Sequence, residues 1–357
     1  MAVAEVWRTH EDGAIPTARY VDPDFAQLER EHLWNRVRQI AGREEQIADP
    51  GDVFEYEIGL VSILIVRGED GELAAMRNAC RHRGTKLAVG RTSVDGCLRC
   101  PYHGWEYGLD GALVTVVDRE DFGAALPEGL RLGPVRLETF GGFVFVNLDP
   151  EAMPLRQFLG PLCNLLAPYR LEDMRLRLAR TTVLPANWKT VIDAFNEGYH
   201  VQALHRQILP WIDDTSIAYE QFEYHARYGR LPGARRLLQP SAQDVFWFPN
   251  FVGPIYPGSA IAFRVRPNGD DVHTALNDTW VLEWPDGSAT PREPRYELVE
   301  DWDAFEWDPV TRQDYDNLAL VQDGMASGAN ELAFTNPRQE GNVAHMHRVI
   351  DRFLFDD

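Results

Sequence analysis

The chain has 357 residues, 45 % of them hydrophobic and 25 % charged, with Trp 10, Tyr 12 and Phe 17. So much aromatic surface excludes a mainly disordered chain, and the length fits two domains or one large one. The formal net charge of −20 argues against nucleic acid or an anionic membrane surface as the main partner, since both reward basic patches; it suits an enzyme of small molecules or a docking surface for a basic protein.

In chain order, Leu28 to Arg38 has the spacing of a short amphipathic helix. From about Val53 to Phe145 the pattern turns to strands: Phe54–Tyr56–Ile58 alternates, Val61–Ile65 is a strand-like run, and Gly68–Glu69–Asp70–Gly71 reads as a hairpin turn. Trp105–Tyr107, Leu113–Val117 and Gly142–Asn147 are further strand candidates, with Asp110–Gly111 as another turn. Composition shifts after Asp149–Pro150. Leu155–Leu166 carries helical spacing, Arg175–Val183 is strand-like, and Asn187 to His205 reads as one long helix with Pro185 near its start. Residues 210–300 mix strands with Pro/Gly loops. Pro309 to Met325 is predicted helical with Asp308 as N-cap, and Val343 to Phe353 forms a last helix. The expected fold is α+β. A helical segment (1–37) precedes a small all-β domain (38–150) and a catalytic domain of mixed antiparallel sheet and helices (151–357).

No segment reads as a membrane span. The longest apolar run, Leu60–Val66, is interrupted by Ser62 and falls far short of the roughly 20 residues a spanning helix needs. Met1–Gly13 is charged and lacks an apolar leader core, so a cytoplasmic location is expected. Four cysteines make no disulfide scaffold. Three of them, Cys80, Cys97 and Cys100, crowd together, which in a reducing compartment points to metal.

The strongest signal is Cys80-Arg-His82 followed, after 17 residues, by Cys100-Pro-Tyr-His103. One cysteine and one histidine per hairpin loop can hold two metal ions. Thiolates suit one iron of a [2Fe–2S] cluster, and neutral imidazoles on the other raise its potential. Gly84, Gly90 and Gly104 would let the backbone come close. A zinc knuckle built on Cys97-x-x-Cys100 with Cys80 and His82 or His103 is the competing reading. It leaves the His82 and His103 spacing unexplained, whereas the cluster leaves only Cys97 over, as a small core residue.

Downstream, Glu197-Gly-Tyr-His200 and His205 suggest a second metal. Two imidazoles and a carboxylate on one face of an iron form the facial triad of non-haem oxygen chemistry. Glu197 and His200, three apart, share a helix face. His200 and His205 lie about 140° apart on an ideal helix, so both reach one metal only if the helix ends or widens between them. The third ligand is expected on helix 309–325. Leu318, Val321 and Met325 recur at helical spacing after Asp314 and place it on the buried stripe, while Asp316 falls on the solvated side beside the acidic residues Asp301, Asp303 and Asp308. An isolated buried carboxylate is costly and should be metal-bound or paired. His225, His273, His345 and His347 default to packing or surface roles, Tyr102 and Trp105 to shielding or core, and Phe246–Phe251 to sheet core with some pocket lining.

The segments Cys80-Arg-His82-Arg-Gly84 and Cys100-Pro-Tyr-His103-Gly-Trp105 resemble the Rieske motif. Asn187-Trp-Lys, Asn196-Glu197-Gly-Tyr-His200, His205 and the pair Asp314 and Gln322-Asp-Gly324 resemble the Rieske non-haem iron oxygenases, the terminal (alpha) subunits of ring-hydroxylating and demethylating systems. The resemblance implies a Rieske [2Fe–2S] cluster on Cys80, His82, Cys100 and His103, and a mononuclear Fe(II) on His200, His205 and Asp314. It implies a head-to-tail homotrimer, since the two centres of one chain would be too far apart for fast electron transfer. Glu197 then stands at the carboxylate that bridges one subunit's cluster histidine to the next subunit's iron ligand. A ferredoxin or flavoprotein reductase would deliver electrons from NAD(P)H; the chain has no Gly-x-Gly-x-x-Gly fingerprint of its own. A beta subunit is compatible. The expected activity is oxygenation by O₂ of a small hydrophobic, aromatic substrate, the alternative being monooxygenation of a quaternary amine or oxidative demethylation.

Overall fold

A computed structural model describes residues 6–209, 217–229, 242–285, 287 and 294–356. The chain divides into two compact units, one formed by Val37–Ala152 and the other by Met1–Arg36 with Met153–Asp357.

The first unit is all-β. Seven strands run in the order Gln39–Arg43, Phe143–Asn147, Pro134–Phe140, Leu73–Arg77, Val61–Arg67, Asp52–Ile58 and Arg91–Ser93, each antiparallel to its neighbour. The predicted turn at Gly68–Gly71 is present: Gly71, at φ +82°, returns its N–H to the Gly68 carbonyl at 3.0 Å, a conformation glycine adopts without steric cost. A smaller sheet joins Cys97–Arg99, Glu106–Gly108 and Leu113–Thr115. Glu55, buried within its strand, ties the following loop to the large sheet. Its carboxylate accepts from Lys86 Nζ and the Gly90 N–H, both at 2.8 Å. Asn78 Oδ1 in turn holds the Leu87 N–H at 2.8 Å.

The second unit is built on eight strands, in the order Ala218–Gln221, Ala226–Gly229, Gln243–Trp247, Phe251–Tyr256, Ser259–Asn268, Asp271–Glu283, Arg175–Leu184 and Arg295–Val299. Neighbours are antiparallel except the last, which runs parallel to Arg175–Leu184. Phe246, Trp247, Phe248 and Phe251 are sheet core, as expected. The helices are α1 (Pro23–Leu28), α2 (Leu155–Leu159), α3 (Leu162–Leu166), α4 (Trp188–Phe195), α5 (Val201–Leu204), α6 (Pro309–Ala326) and α7 (Gly341–Asp351).

Three expected helices differ. The helix expected at Leu28–Arg38 begins where α1 ends, at Leu28, and is a π turn over Glu29–Trp34. Leu155–Leu166 splits into α2 and α3 because Gly160 adopts φ +52° immediately before Pro161, and proline fits only the first turn of a new helix. The long helix expected over Asn187–His205 ends at Phe195.

Helix α4 starts where the sequence indicates. Asn187 caps it, its side chain accepting from the Lys189 N–H. Gln322 on α6 pins the same turn, its Oε1 accepting from the Asn187 N–H (2.8 Å) and Thr190 Oγ1 (3.1 Å). At its other end α4 lays Phe195 on Phe263 of the sheet, with ring centroids 4.2 Å apart. Helix α6 begins on Asp308, which caps the Val310 and Thr311 N–H groups. It meets the sheet through Tyr315, whose Oη accepts from Asn277 Nδ2 at 2.9 Å. These contacts fix the register of α6, which carries Asp314, and of α4, which leads into the segment bearing His200 and His205.

The N-terminal segment belongs to this unit. Arg19 pairs with Asp351 at 2.6 Å, both buried, and Lys189 pairs with Glu29 at 2.9 Å, both with almost no exposure. No helix of the described residues is long and apolar enough to cross a membrane.

Candidate functional site

The two predicted cluster loops share one hydrogen-bond plan. In the first, the Cys80 N–H reaches the Thr85 carbonyl (2.9 Å) and the Gly84 N–H the Cys80 carbonyl (2.8 Å). In the second, the Cys100 N–H reaches the Trp105 carbonyl (2.8 Å) and the Gly104 N–H the Cys100 carbonyl (3.0 Å). Gly84 and Gly104 both take positive φ, +78° and +69°, which explains a glycine at the same place in each motif.

The loops bring all four predicted ligands together. Cys80 and Cys100 are buried, and the His82 and His103 rings lie 4.5 Å apart. Trp105, buried, stacks on His82 at 4.9 Å; Tyr102 lies against His103 at 3.7 Å while its own side chain is 60 % exposed. Tyr107 Oη sits 3.2 Å from Cys80 Sγ and accepts the Arg81 N–H at 2.9 Å. Burial alone would push the Cys100 thiol up, but the N–H groups of His103 and Tyr102, with Cys80 and Thr85, outweigh it and hold the thiol below its ordinary value. A lowered thiol favours the thiolate that iron requires. His82 Nδ1 is buried without a hydrogen-bond partner among the described residues, the state of a nitrogen reserved for a metal. Two side-by-side thiols, two imidazoles and an orphaned ring nitrogen fit a Rieske cluster. Cys97, three residues earlier, is half-buried on its strand opposite Gly108.

In the second unit, His200, His205 and Asp314 converge. One donor atom from each lies within 4.8 Å of the others. His205 Nε2 is 2.8 Å and His200 Nε2 3.8 Å from Asp314 Oδ1. The helix break makes this possible. After Phe195 the chain unwinds through Asn196–Tyr199; α5 is a single turn, and His205 follows at φ −107°, ψ 49°. Glu197 and His200 therefore meet outside a helix. Glu197 takes the Tyr199 and His200 N–H groups and His200 Nδ1. It is 7 % exposed, not a solvated helix carboxylate.

Each imidazole is oriented through its far nitrogen. His200 Nδ1 meets the Glu197 carboxylate and His205 Nδ1 meets Gln313 Oε1 at 2.9 Å, so both rings present Nε2 to Asp314. Partners of this kind fix the tautomer of metal-binding histidines. Burial raises the Asp314 carboxyl despite the opposing pull of His205 and His200. His200 goes up as well: burial would lower it, but Glu197 and Asp314 prevail. A buried acid facing two imidazoles, with no lysine or arginine paired to it among the described residues, fits a divalent metal. Asp316, on the other side of α6, is half-exposed and pairs with Arg312 at 2.9 Å.

A cavity of about 430 Å³ opens beside His200 and Asp314. The expected buried stripe of α6 proves to be its wall: Leu318 is buried, but Val321 is 43 % exposed. Phe334 supplies an aromatic surface, and two further carboxylates, Asp193 and Glu340, line the cavity with Glu197 and Asp314. Asp193 is held by Tyr20 Oη at 2.7 Å and His347 Nε2 at 3.2 Å. Glu340 is raised by burial and by repulsion from Glu197 and Asp193. Sequence reasoning missed Asp193, Glu340 and Gln313. Only Gln313, adjacent to Asp314, had a signal, as a neighbour able to orient a ligand. His347, His225 and His273 have packing partners, Tyr20 and Asp193, the Phe158 carbonyl, and Gln322, in accord with their default readings.

Residues 37–125 match the Rieske [2Fe-2S] domain, and residues 171–244 and 226–355 match the ring hydroxylating alpha subunit catalytic domain. The chain thus belongs to the Rieske non-haem iron oxygenases, in their alpha-subunit family, with a cluster domain and a catalytic domain that binds mononuclear iron. Among particular relatives, it is 32 % identical over 232 residues to the carnitine monooxygenase oxygenase subunit of Escherichia coli (64 % of this chain, 60 % of the relative). It is 27 % identical over 378 residues to the glycine betaine monooxygenase oxygenase subunit of Chromohalobacter salexigens (92 % and 83 %). The chain spans about half to three-fifths of the length of the first curated relatives it matches. Of solved structures, a quaternary ammonium Rieske monooxygenase described for carnitine oxidation and inter-subunit electron transfer superposes with a TM-score of 0.81 at 19 % identity, covering 98 % of both chains. Naphthalene 1,2-dioxygenase from Rhodococcus sp. gives 0.76 at 21 %, covering 97 % and 96 %. Both likenesses concern the fold.

Proposed function

We propose that the chain is the terminal oxygenase of a multicomponent system that monooxygenates a small quaternary ammonium compound. The observation that carries this reading is the cavity: four carboxylates line it, and Asp193 and Glu340 belong to no ligand set. A cation gains from such a wall, whereas a neutral hydrocarbon would strip water from carboxylates and return nothing. The aromatic substrate expected from the sequence is thus the weaker alternative, and the relatives named for carnitine and glycine betaine point the same way.

In this reading Cys80, His82, Cys100 and His103 hold the cluster, and His200, His205 and Asp314 hold the iron. Together the two centres, when loaded, supply single electrons and the activation of O₂. The chain's own residues do the rest. Glu197 and Gln313 hold the two ring Nδ1 atoms, leaving each Nε2 directed inward. Asp314 contributes the charge that neutralises a divalent cation. Asp193, fixed by Tyr20 and His347, and Glu340 orient the substrate's cationic head, while Leu318, Val321 and Phe334 give its methyl groups apolar surface to lie on. Glu197 bridges to a cluster histidine of a neighbouring subunit in a head-to-tail homotrimer, and a separate ferredoxin or flavoprotein reductase draws on NAD(P)H.

The test is a substrate panel with reductase and NADH, following O₂ uptake and identified product. Carnitine, glycine betaine and choline are set against naphthalene and against a carnitine isostere with a neutral tert-butyl carbon in place of nitrogen. Coupled turnover of a trimethylammonium compound, with the neutral isostere at least tenfold poorer in kcat/KM, is expected. Coupled turnover of naphthalene alone overturns the proposal. The trimer is tested by mixing: His103→Ala and His200→Ala subunits, each inactive, should regain activity together.

A further inference from the structure

The break between α4 and α5 replaces one helical hydrogen bond by two side-chain bonds. In an unbroken helix the Tyr199 N–H would donate to the Phe195 carbonyl, four residues back. Here the Tyr199 N–H goes to Glu197 Oε2, and the Phe195 carbonyl accepts from Tyr228 Oη at 3.3 Å. The same hydroxyl lies 3.2 Å from the Glu197 carbonyl. A helix end leaves such carbonyls without partners; here the single Tyr228 proton is shared between the two of them and the Asp244 carboxyl, which also bonds this hydroxyl.

We propose that Tyr228 is a positioning residue for the iron site: its hydroxyl holds the unwound Phe195–Glu197 backbone from which Glu197 and His200 project.

Tyr228 is well placed for this. It sits in the strand Ala226–Gly229, between Ala218–Gln221 and Gln243–Trp247. Its ring stacks on Tyr219 at 5.4 Å and 21°. Tyr219 Oη in turn would lie 3.3 Å from a Cβ added at Gly198, so the unwound turn packs closely against this aromatic pair. Burial, with Asp244 and Glu197 nearby, keeps the phenol well above its ordinary value, and it remains a neutral donor. Without the hydroxyl, the Phe195 carbonyl is free to reclaim the Tyr199 N–H. Glu197 then loses a donor, and His200 is displaced from Asp314.

The inference rests on Glu197 acting through His200, and the experiment separates the two ideas. Tyr228→Phe keeps the ring and its stacking. In the full-length protein, stripped of mononuclear iron but retaining its cluster, Co(II) affinity should fall about 10- to 100-fold, as for other groups that orient metal ligands. Amide exchange should change at Tyr199 and His200 and stay constant across the sheet. In the loaded enzyme, kcat should fall with KM unchanged. The decisive readout is a double-mutant cycle. Tyr228→Phe should add little to Glu197→Gln, because both disrupt one arrangement; a merely structural tyrosine would add its full effect. Co(II) affinity within threefold of wild type and unchanged exchange at Tyr199 would overturn the proposal, as would additivity in the cycle. If Glu197→Gln itself leaves Co(II) affinity intact, the Glu197 reading fails first. Should Tyr228→Phe fold poorly, Tyr219→Phe, which keeps the Tyr228 hydroxyl, must leave Co(II) affinity intact; an equal loss there would also overturn the proposal.

Discussion

Glu197→Gln keeps the side chain's length and removes its charge. The Glu197 oxygens face three donors: the Tyr199 N–H, the His200 N–H at 3.2 Å, and His200 Nδ1. An amide offers one acceptor oxygen and an NH₂ group, so at least one of those donors is left facing another donor. A hydrogen bond to a charged acceptor contributes about 1.5–3 kcal/mol. Loss of that amount from the orientation of His200 weakens metal binding by roughly 10- to 100-fold at 1.4 kcal/mol per decade. The assay is Fe(II) titration of protein freed of mononuclear iron, with the Rieske absorbance as an internal control that should not move. A second readout is reoxidation of the reduced cluster in a single turnover at saturating Fe(II), which should slow severely, because a neutral amide cannot hold two imidazoles by charge-assisted bonds. Fe(II) affinity within threefold of wild type together with normal reoxidation would refute both the orienting and the bridging roles.

Asp314→Ala should lose the mononuclear iron and all oxygenation while keeping the Rieske spectrum. Asp316→Ala, which removes only a half-exposed partner of Arg312, should keep both and change stability by less than about 0.5 kcal/mol; metal analysis with EPR distinguishes the two. Asp278→Asn should destabilise by about 3–5 kcal/mol, because it leaves buried guanidinium groups uncompensated. Burial would raise this acid, but Arg264 and Arg266 hold it at about 2. Its contribution is therefore full above the ordinary carboxylate range and lost as pH falls through 2, so urea midpoints of mutant and wild type should stay apart from pH 7 to about pH 4 and converge only as pH falls from there towards 2. His225, pushed down to about 4 by burial, donates from Nε2 to the Phe158 carbonyl and accepts the Phe248 N–H at Nδ1. That neutral imidazole stabilises fully above its ordinary value of 6.5 and loses its contribution as pH falls through 4. Stability should decline by up to about 1.4 kcal/mol per pH unit between 6.5 and 4, less steeply in His225→Gln; equal slopes would contradict it.

The cluster ligands were legible because each half of the motif is local: Cys80 with His82 and Cys100 with His103 sit in turns closed within five residues, so spacing carries the geometry. Asp314 was legible by helical phase, since α6 runs unbroken and Leu318 shares its face. The break in Asn187–His205 was legible only as a condition on His200 and His205 sharing a metal. Apolar periodicity continues through Gly198, and the hydroxyl that meets the Phe195 carbonyl freed at the break comes from Tyr228, some thirty residues away in the chain. Asp193 and Glu340 were unreadable for the same reason. They become a cavity wall only when α4 and the segment before α7 are brought together, and nothing in their neighbouring residues marks them. The aromatic reading of the substrate leans on aromatic residues after position 240, and Phe246, Trp247, Phe248 and Phe251 among them are buried sheet core.

The catalytic unit closes on residues from both ends of the chain: Arg19 on Asp351, Tyr20 on His347, the Thr9 N–H on Asp351. During synthesis the β unit, Val37–Ala152, is complete while Asp351 is still roughly 200 residues from being made, an interval on the order of 10–40 s at 5–20 residues per second. Throughout it the Arg19 guanidinium must stay hydrated, because burying it without its carboxylate would be costly. In chain order the cluster loops are thus made before Asp314, and the helix α7 that takes Arg19 and Tyr20 is made after both.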